Sequence, residues 1–343
     1  MKRHLNTLFV TTQGAYLSKE GETVVVKVDG EIRMQLPIHN LGSIVSFGQV
    51  SMSPFLMAHC AENGVGVSFL TEHGRFLARV QGETSGNVLL RREQYRRADE
   101  PEACAAVVRP IVAAKIANCR VAVLRALRDR PDADGAGRLR GAARALAGHL
   151  EAVAATSCVD VTRGVEGMAA RDYFAVFDDL ISQQKEEFRF ERRSRRPPLD
   201  RINALLSFVY TLLVQDVRGA LEGVGLDPAV GFLHRDRPGR PGLALDLMEE
   251  LRPFFADRLV LSLINLRQLD AKRFRFAESG AVLLDDDGRK EVLVAYQKRK
   301  QEEIVHPFLG EKTTIGLIPH LQALLFSRYL RGDLDGYPPF LWK

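Results

Sequence analysis

At 343 residues, 46% of them apolar and 27% charged, the chain has material for a substantial core, and wholesale disorder is excluded. Its 48 basic and 43 acidic residues leave a formal charge of +5, which permits a polyanionic partner without demanding one. Cys60, Cys104, Cys119 and Cys158 lie far apart and form no CxxC pair, so zinc-ribbon and thioredoxin-like chemistries fall away.

Reduced thiols in a cytoplasmic protein are the simplest expectation. The apolar run of MKRHLNTLFV ends at Thr11, Thr12 and Gln13, too early for a secretory signal, and no stretch reads as a membrane span. Residues 5–80 read as β-rich, with LNTLFV, AYLSKE, ETVVVKV, EIRMQLP and GSIVSFG as short extended segments between Gly, Asp and Pro. Asp29-Gly30 predicts a two-residue hairpin turn. Ser53 and Pro54 predict the cap and first turn of a short helix that stops at Gly64. VGVSFL and GRFLARV complete the module as strands. His39, His59 and His73 have no matching carboxylate cluster and read as surface or core residues.

The pattern changes at GETSGN, and a domain boundary is expected there, with residues 1–84 forming a β-rich unit and 85–343 a helical one. LLRREQYRRADE carries four arginines around Tyr95, suited to phosphate or to a solvated helix face. From Glu102 to Ala155 apolar residues recur at three- and four-residue steps, interrupted at Pro110. Lys115, Asn118, Arg125 and Arg128 take the opposite periodicity, which a ligand-facing or a solvated face would explain equally well. Past Asp160, Glu166 sits beside the apolar stripe of Ala169, Tyr173, Val176 and Leu180. A carboxylate there needs a partner, and Arg163, three residues earlier, could supply it as a local ion pair.

Lys185 to Arg201 holds seven basic and four acidic residues, with Arg192, Arg193, Arg195 and Arg196 as the densest positive patch. Such a patch suits a nucleic-acid backbone without reading bases; a solvated loop is the plain alternative. Asp200 predicts a cap on the apolar helix that follows, with Asn203 near its start. PAVGFLHRDRPGRPGLALDLMEELRP then presents His234 and, in a leucine-rich helical run, Asp246 and Glu249 at i,i+3. One imidazole with carboxylate oxygens suits Mn²⁺ or Mg²⁺. Alternatively, His234 is a structural donor and Asp246 is held by Arg240 or Arg252. After Pro253 a further core helix is expected, with Ala256 and Asp257 opening to solvent. A hairpin, a helix with the basic-aromatic group Tyr296, Lys298, Arg299 and Lys300, a terminal helix and a docking tail YPPFLWK follow. The sequence lacks HExxH, GxxxxGK[ST] and GxSxG.

RGVEGMAARDYF, RRPPLDRINALLSFVYTLL, GLDPAVGFLH, RPGRPGLALDLMEELRPFFADRLVLSLIN and AYQKRKQEEIVHPFLGEK together resemble the CRISPR-associated spacer-acquisition integrase, the nuclease-like subunit of CRISPR adaptation, over nearly the whole chain. RYLRGDLDGYPPFLW is similar to the subtype I-C form. The resemblance implies an α+β protein, a small N-terminal β-sandwich before a larger, mostly α-helical catalytic domain. It also implies homodimers, two of which flank a dimer of a small adaptation partner protein on DNA. The family's metal-binding residues match Glu166, His234 and Glu249, with Asp246 as an adjacent, supporting acid. Glu249 is a departure, since many members have Asp there.

Mg²⁺ or Mn²⁺ would then serve insertion of protospacer DNA into CRISPR repeats by 3′-hydroxyl attack. Arg163, Arg192, Arg193, Arg195, Arg196, Lys298, Arg299 and Lys300 are the candidate contacts to double-stranded or branched DNA. Two other readings stay open: an endonuclease that resolves branched DNA without integrating it, and a noncatalytic DNA-binding scaffold.

Overall fold

The computed structural model describes residues 6–82 and 88–342. Leu5, expected to open the first strand, and the boundary expected between residues 84 and 85 lie outside the described residues.

The N-terminal part follows from its alternating apolar residues and turn glycines. The strands are β1 (Asn6–Val10), β2 (Tyr16–Glu20), β3 (Thr23–Val28), β4 (Glu31–Pro37), β5 (Leu41–Phe47) and β6 (Ser51–Met52). Helix α1 (Pro54–Glu62) leads to β7 (Gly66–Leu70) and β8 (Phe76–Val80). They form two four-stranded sheets, ordered β1-β5-β7-β8 and β4-β3-β2-β6. Leu17, Val24 and Val26 of the second sheet share one core with Ile44 and Val67 of the first and with Leu56 and Cys60 of α1. At the β3–β4 turn Asp29 and Gly30 both take positive φ, 52° and 81°, the backbone twist that a two-residue hairpin needs. Ser53 Oγ accepts from Leu56 N at 3.2 Å, the predicted cap. β6 was not expected: two residues pairing in parallel with β2 leave no periodic signal.

The larger part is helical: α2 (Val88–Asp99), α3 (Pro101–Asp129), α4 (Ala136–Ala154), α5 (Val159–Ala175), α6 (Arg201–Gly223), α7 (Gly242–Leu251), α8 (Arg258–Asn265), α9 (Asp286–Gln301) and α10 (Ile318–Leu330). Two small hairpins, β9 (Phe274–Phe276) with β10 (Val282–Leu284) and β11 (Glu303–Val305) with β12 (Lys312–Thr314), sit among them. By length and composition α6 could cross a membrane, contrary to the reading of the sequence. It is instead a central core helix, with Ile202, Leu205, Leu206, Val209, Leu213 and Leu221 essentially inaccessible. The two parts share packing: Phe47 of β5 and Phe208 of α6 are 6.0 Å apart between ring centroids.

Two local expectations, at Pro110 and at Ala256 and Asp257, fail for one reason, burial. Pro110 does not interrupt α3, because Val107, Val108, Ile111 and Val112 bury around it and hold the helix through the missing hydrogen bond. The core helix expected after Pro253 is present as α8, reached through a π-helical turn, Arg252–Asp257, that contains Pro253. Ala256 and Asp257 do not open to solvent: both are buried, and Asp257 accepts hydrogen bonds from Tyr210 at 2.6 Å and Tyr173 at 3.1 Å.

Candidate functional site

α5, α7, α3 and the loop before α7 meet at one point, and the loop is fixed by a single acid. Asp246, fully buried on α7, accepts from the backbone N–H groups of Phe232 (2.6 Å), Leu233 (3.0 Å) and His234 (2.9 Å). The same carboxylate lies 2.6 Å from His234 Nδ1. A proton on Nδ1 is therefore stabilised, and Nε2 is left to face the site. The backbone N–H groups, rather than Arg240 or Arg252, hold this acid. Close approach requires glycine at two points: a Cβ on Gly242 would lie 2.6 Å from the Ala229 carbonyl oxygen, and one on Gly231 would lie 2.9 Å from that of His234. Arg163 clamps the loop to α5 by donating twice to the Leu233 carbonyl, at 2.7 and 3.1 Å, and also pairs with Asp160.

Glu249, one turn further along α7, is 3% exposed in its side chain. Its Oε1 lies 2.6 Å from Arg252 and 3.8 Å from His234 Nε2. Its Oε2 lies 2.7 Å from the Lys115 ammonium, an ionic contact without hydrogen-bond alignment, so this buried oxygen has no hydrogen-bond donor. Lys115 also donates to Glu166 Oε1. Burial opposes the charge on Glu249, but Arg252, Lys115 and His234 overcome it and hold the carboxyl down to about 2. Burial likewise opposes the Lys115 charge, and Glu249 and Glu166 reverse that, raising its pKa.

Glu166, His234 and Glu249 are thus brought together from three segments. Among the described residues no three His, Cys, Asp or Glu side chains close on one point, because the Lys115 ammonium stands between the acids. The donor set nevertheless fits a hard divalent cation: two carboxylates already share one cation, one carboxylate oxygen lacks a donor, and an oriented imidazole nitrogen is alongside. Lys115 and Asn118 were legible only as polar positions on α3. Asn118 is buried, donating to the Glu250 and Phe340 carbonyls at 2.7 and 2.9 Å and accepting from Trp342 N at 2.8 Å. Glu250, next to Glu249, faces the tail instead: it accepts from Tyr337 and from Phe340 N at 2.6 Å, and burial raises its pKa to about 7.

The basic candidates divide. Arg192, Arg195, Arg196 and Lys298 are exposed. Arg193 instead bonds Asn203 at 2.6 Å, and Asn203 in turn fixes the loop through Ser194 N and the Arg192 carbonyl. Arg299 pairs with Glu302 and lies over Phe254, while Lys300 is buried 2.9 Å from Asp216. Those three guanidinium and ammonium groups, with Arg163, are occupied within the protein.

The family CRISPR associated protein Cas1 matches residues 8–298. A relative from Chlorobaculum tepidum, CRISPR-associated endonuclease Cas1 1, is 57% identical over 343 residues, all of both chains. The chain belongs to the Cas1 family. Its fold is similar to a CAS1 protein from Thermotoga maritima, with a TM-score of 0.80 at 23% identity over 98% of this chain and 99% of that one. This Cas1-family fold also lies within a structure described as a Cas6-RT-Cas1–Cas2 complex, with a TM-score of 0.83 at 22% identity, covering all of this chain and 37% of that one.

Proposed function

We propose that this protein is a metal-dependent DNA integrase and endonuclease of CRISPR adaptation, joining protospacer DNA to a CRISPR repeat by 3′-hydroxyl attack. The supporting observation is the meeting of Glu166 and Glu249, from α5 and α7, at one buried positive charge with His234 beside it. Mg²⁺ or Mn²⁺ held by Glu166, His234 and Glu249 would supply Lewis-acid polarisation of a phosphodiester. Asp246 orients the imidazole by holding Nδ1, and Arg252 keeps Glu249 charged. In each transfer the protospacer 3′-oxygen bonds to phosphorus as the repeat's 3′-oxygen leaves, so the number of phosphodiesters is unchanged and no nucleotide hydrolysis is required.

The exposed Arg192, Arg195, Arg196 and Lys298 would contact the DNA backbone, giving affinity that falls with salt. Homodimers of this chain would flank a dimer of the small adaptation partner protein, two integrase dimers to one partner dimer, in the cytoplasm. The tail pattern RYLRGDLDGYPPFLW supports a subtype I-C-like form. A second reading is a branched-DNA endonuclease without integration; the Chlorobaculum tepidum relative is described as a CRISPR-associated endonuclease. Purified protein and partner, given labelled protospacers with free or blocked 3′-hydroxyls under Mg²⁺ or Mn²⁺, separate the possibilities. Integration requires both the free hydroxyl and the metal. Cleavage indifferent to the hydroxyl supports the endonuclease, and no metal-dependent strand chemistry supports a scaffold.

A further inference from the structure

Lys115 enters the acidic set from α3 and contacts the two carboxylates assigned above to a divalent ion, donating to Glu166 Oε1 and lying 2.7 Å from Glu249 Oε2. Its side chain is 10% exposed, so this is no solvated surface pair. The backbone beneath it is fixed: Asn118, one turn on, ties α3 to the α7 backbone at Glu250 and to the tail at Phe340 and Trp342. The ammonium, by contrast, ends a four-carbon stem with several rotatable bonds, so it can leave while the helix stays. Glu249 Oε1 already faces Arg252, and Oε2 is the oxygen without a hydrogen-bond donor. Without the ammonium, buried Glu249 and partly buried Glu166 would face each other with Arg252 on Glu249 alone, and would repel.

We propose that Lys115 is a built-in counter-cation, holding Glu166 and Glu249 together until a divalent ion takes its place by exchange. It is a positioning residue, and the inference rests on the metal-dependent reading of the site. Replacing a single charge by a double one lets the ion win the exchange, while the ammonium weakens net metal affinity by the work of its displacement. The metal-free protein gains in return a neutralised, well-packed centre.

Mn²⁺ titration of the full chain without DNA, followed by the electron paramagnetic resonance of free Mn²⁺, tests this with no readout of activity. Lys115→Met and Lys115→Gln should each bind Mn²⁺ about ten-fold more tightly than wild type or better, a change of about 1.4 kcal/mol or more. Their metal-free melting midpoints should fall by roughly 3 °C or more. Unchanged or weaker Mn²⁺ binding in a folded variant overturns the proposal. Should neither variant fold, a crystal structure of wild type with Mn²⁺ decides. Lys115 Nζ withdrawn from both carboxylates supports the exchange, and Nζ still bridging them beside a bound ion overturns it. If no form of the protein binds Mn²⁺ saturably, the metal reading itself falls and the exchange falls with it. Saturable wild-type binding with no gain on substitution removes Lys115 alone.

Discussion

Asp246 and Glu249 have the same chemistry and adjoining places on α7, yet their surroundings give them different work. Asp246 is enclosed by three backbone amides and an imidazole, while Glu249 meets Lys115 and Arg252. Glu249→Ala should therefore abolish strand transfer with DNA binding largely kept, measured by product formation beside a gel-shift titration; retained transfer would remove Glu249 from the centre. Asp246→Asn should lower metal affinity or transfer by about 10- to 100-fold, the usual effect of freeing a supported ligand. Asp257 gives a pH signature away from these acids. Burial, opposed by the hydroxyls of Tyr210 and Tyr173 and by Arg252 and Arg193, raises its pKa from 3.8 to about 6. Its protonated form thus contributes stability that is present below about pH 4 and lost as pH rises through 6. Urea unfolding of Asp257→Asn across that window should show a stability advantage over wild type that grows by up to about 3 kcal/mol toward neutral pH. A constant difference would mean that Asp257 does not change protonation there. At this scale residue type and spacing singled out His234, Asp246 and Glu249 only as candidates beside plain structural readings, and their grouping with Glu166 came from the family resemblance. Lys115 was not among them, because a polar position on an amphipathic helix reads the same whether it meets water or a buried carboxylate.

Elements were legible where one local device sets the chain. The Asp29-Gly30 turn, the Ser53 cap and the Asp200 cap all lie where the sequence puts them, the last accepting from Asn203 N at 2.7 Å. Pro110 misled, because the packing around α3 outweighs a missing hydrogen bond worth about 1 kcal/mol. The glycines of the His234 loop have the opposite character, since nothing larger fits. Gly242→Ala puts a methyl 2.6 Å from the Ala229 carbonyl oxygen and 2.9 Å from Gly231 N. Overpacking of that kind should cost about 1–3 kcal/mol in chemical denaturation and displace His234. If the variant unfolds at the wild-type urea midpoint, the loop can yield and the close approach is not a constraint.

For the whole molecule, the α+β division and the β-rich beginning were readable from the change of period, from alternation to three- and four-residue steps. Which helices would touch was not, since α3, α5 and α7 each have an apolar face that many partners could cover. The aromatic tail docks as expected, on partners that its own pattern does not name: Phe340 and Trp342 bond Glu250 and Asn118 through their backbone N–H groups, and the Trp342 ring lies 5.5 Å from Phe254 between centroids. Asn118→Ala should strand three buried partners at once and lower stability by about 2–3 kcal/mol, with the loss read in urea unfolding.

The hydrogen bond from Lys115 to Glu166 closes a sequence gap of 51, and that from Asn118 to the Glu250 carbonyl a gap of 132. Closures so wide come late for a chain still searching its conformations, after local helices and turns exist. A half-formed molecule therefore carries every reactive side chain and none of their arrangement.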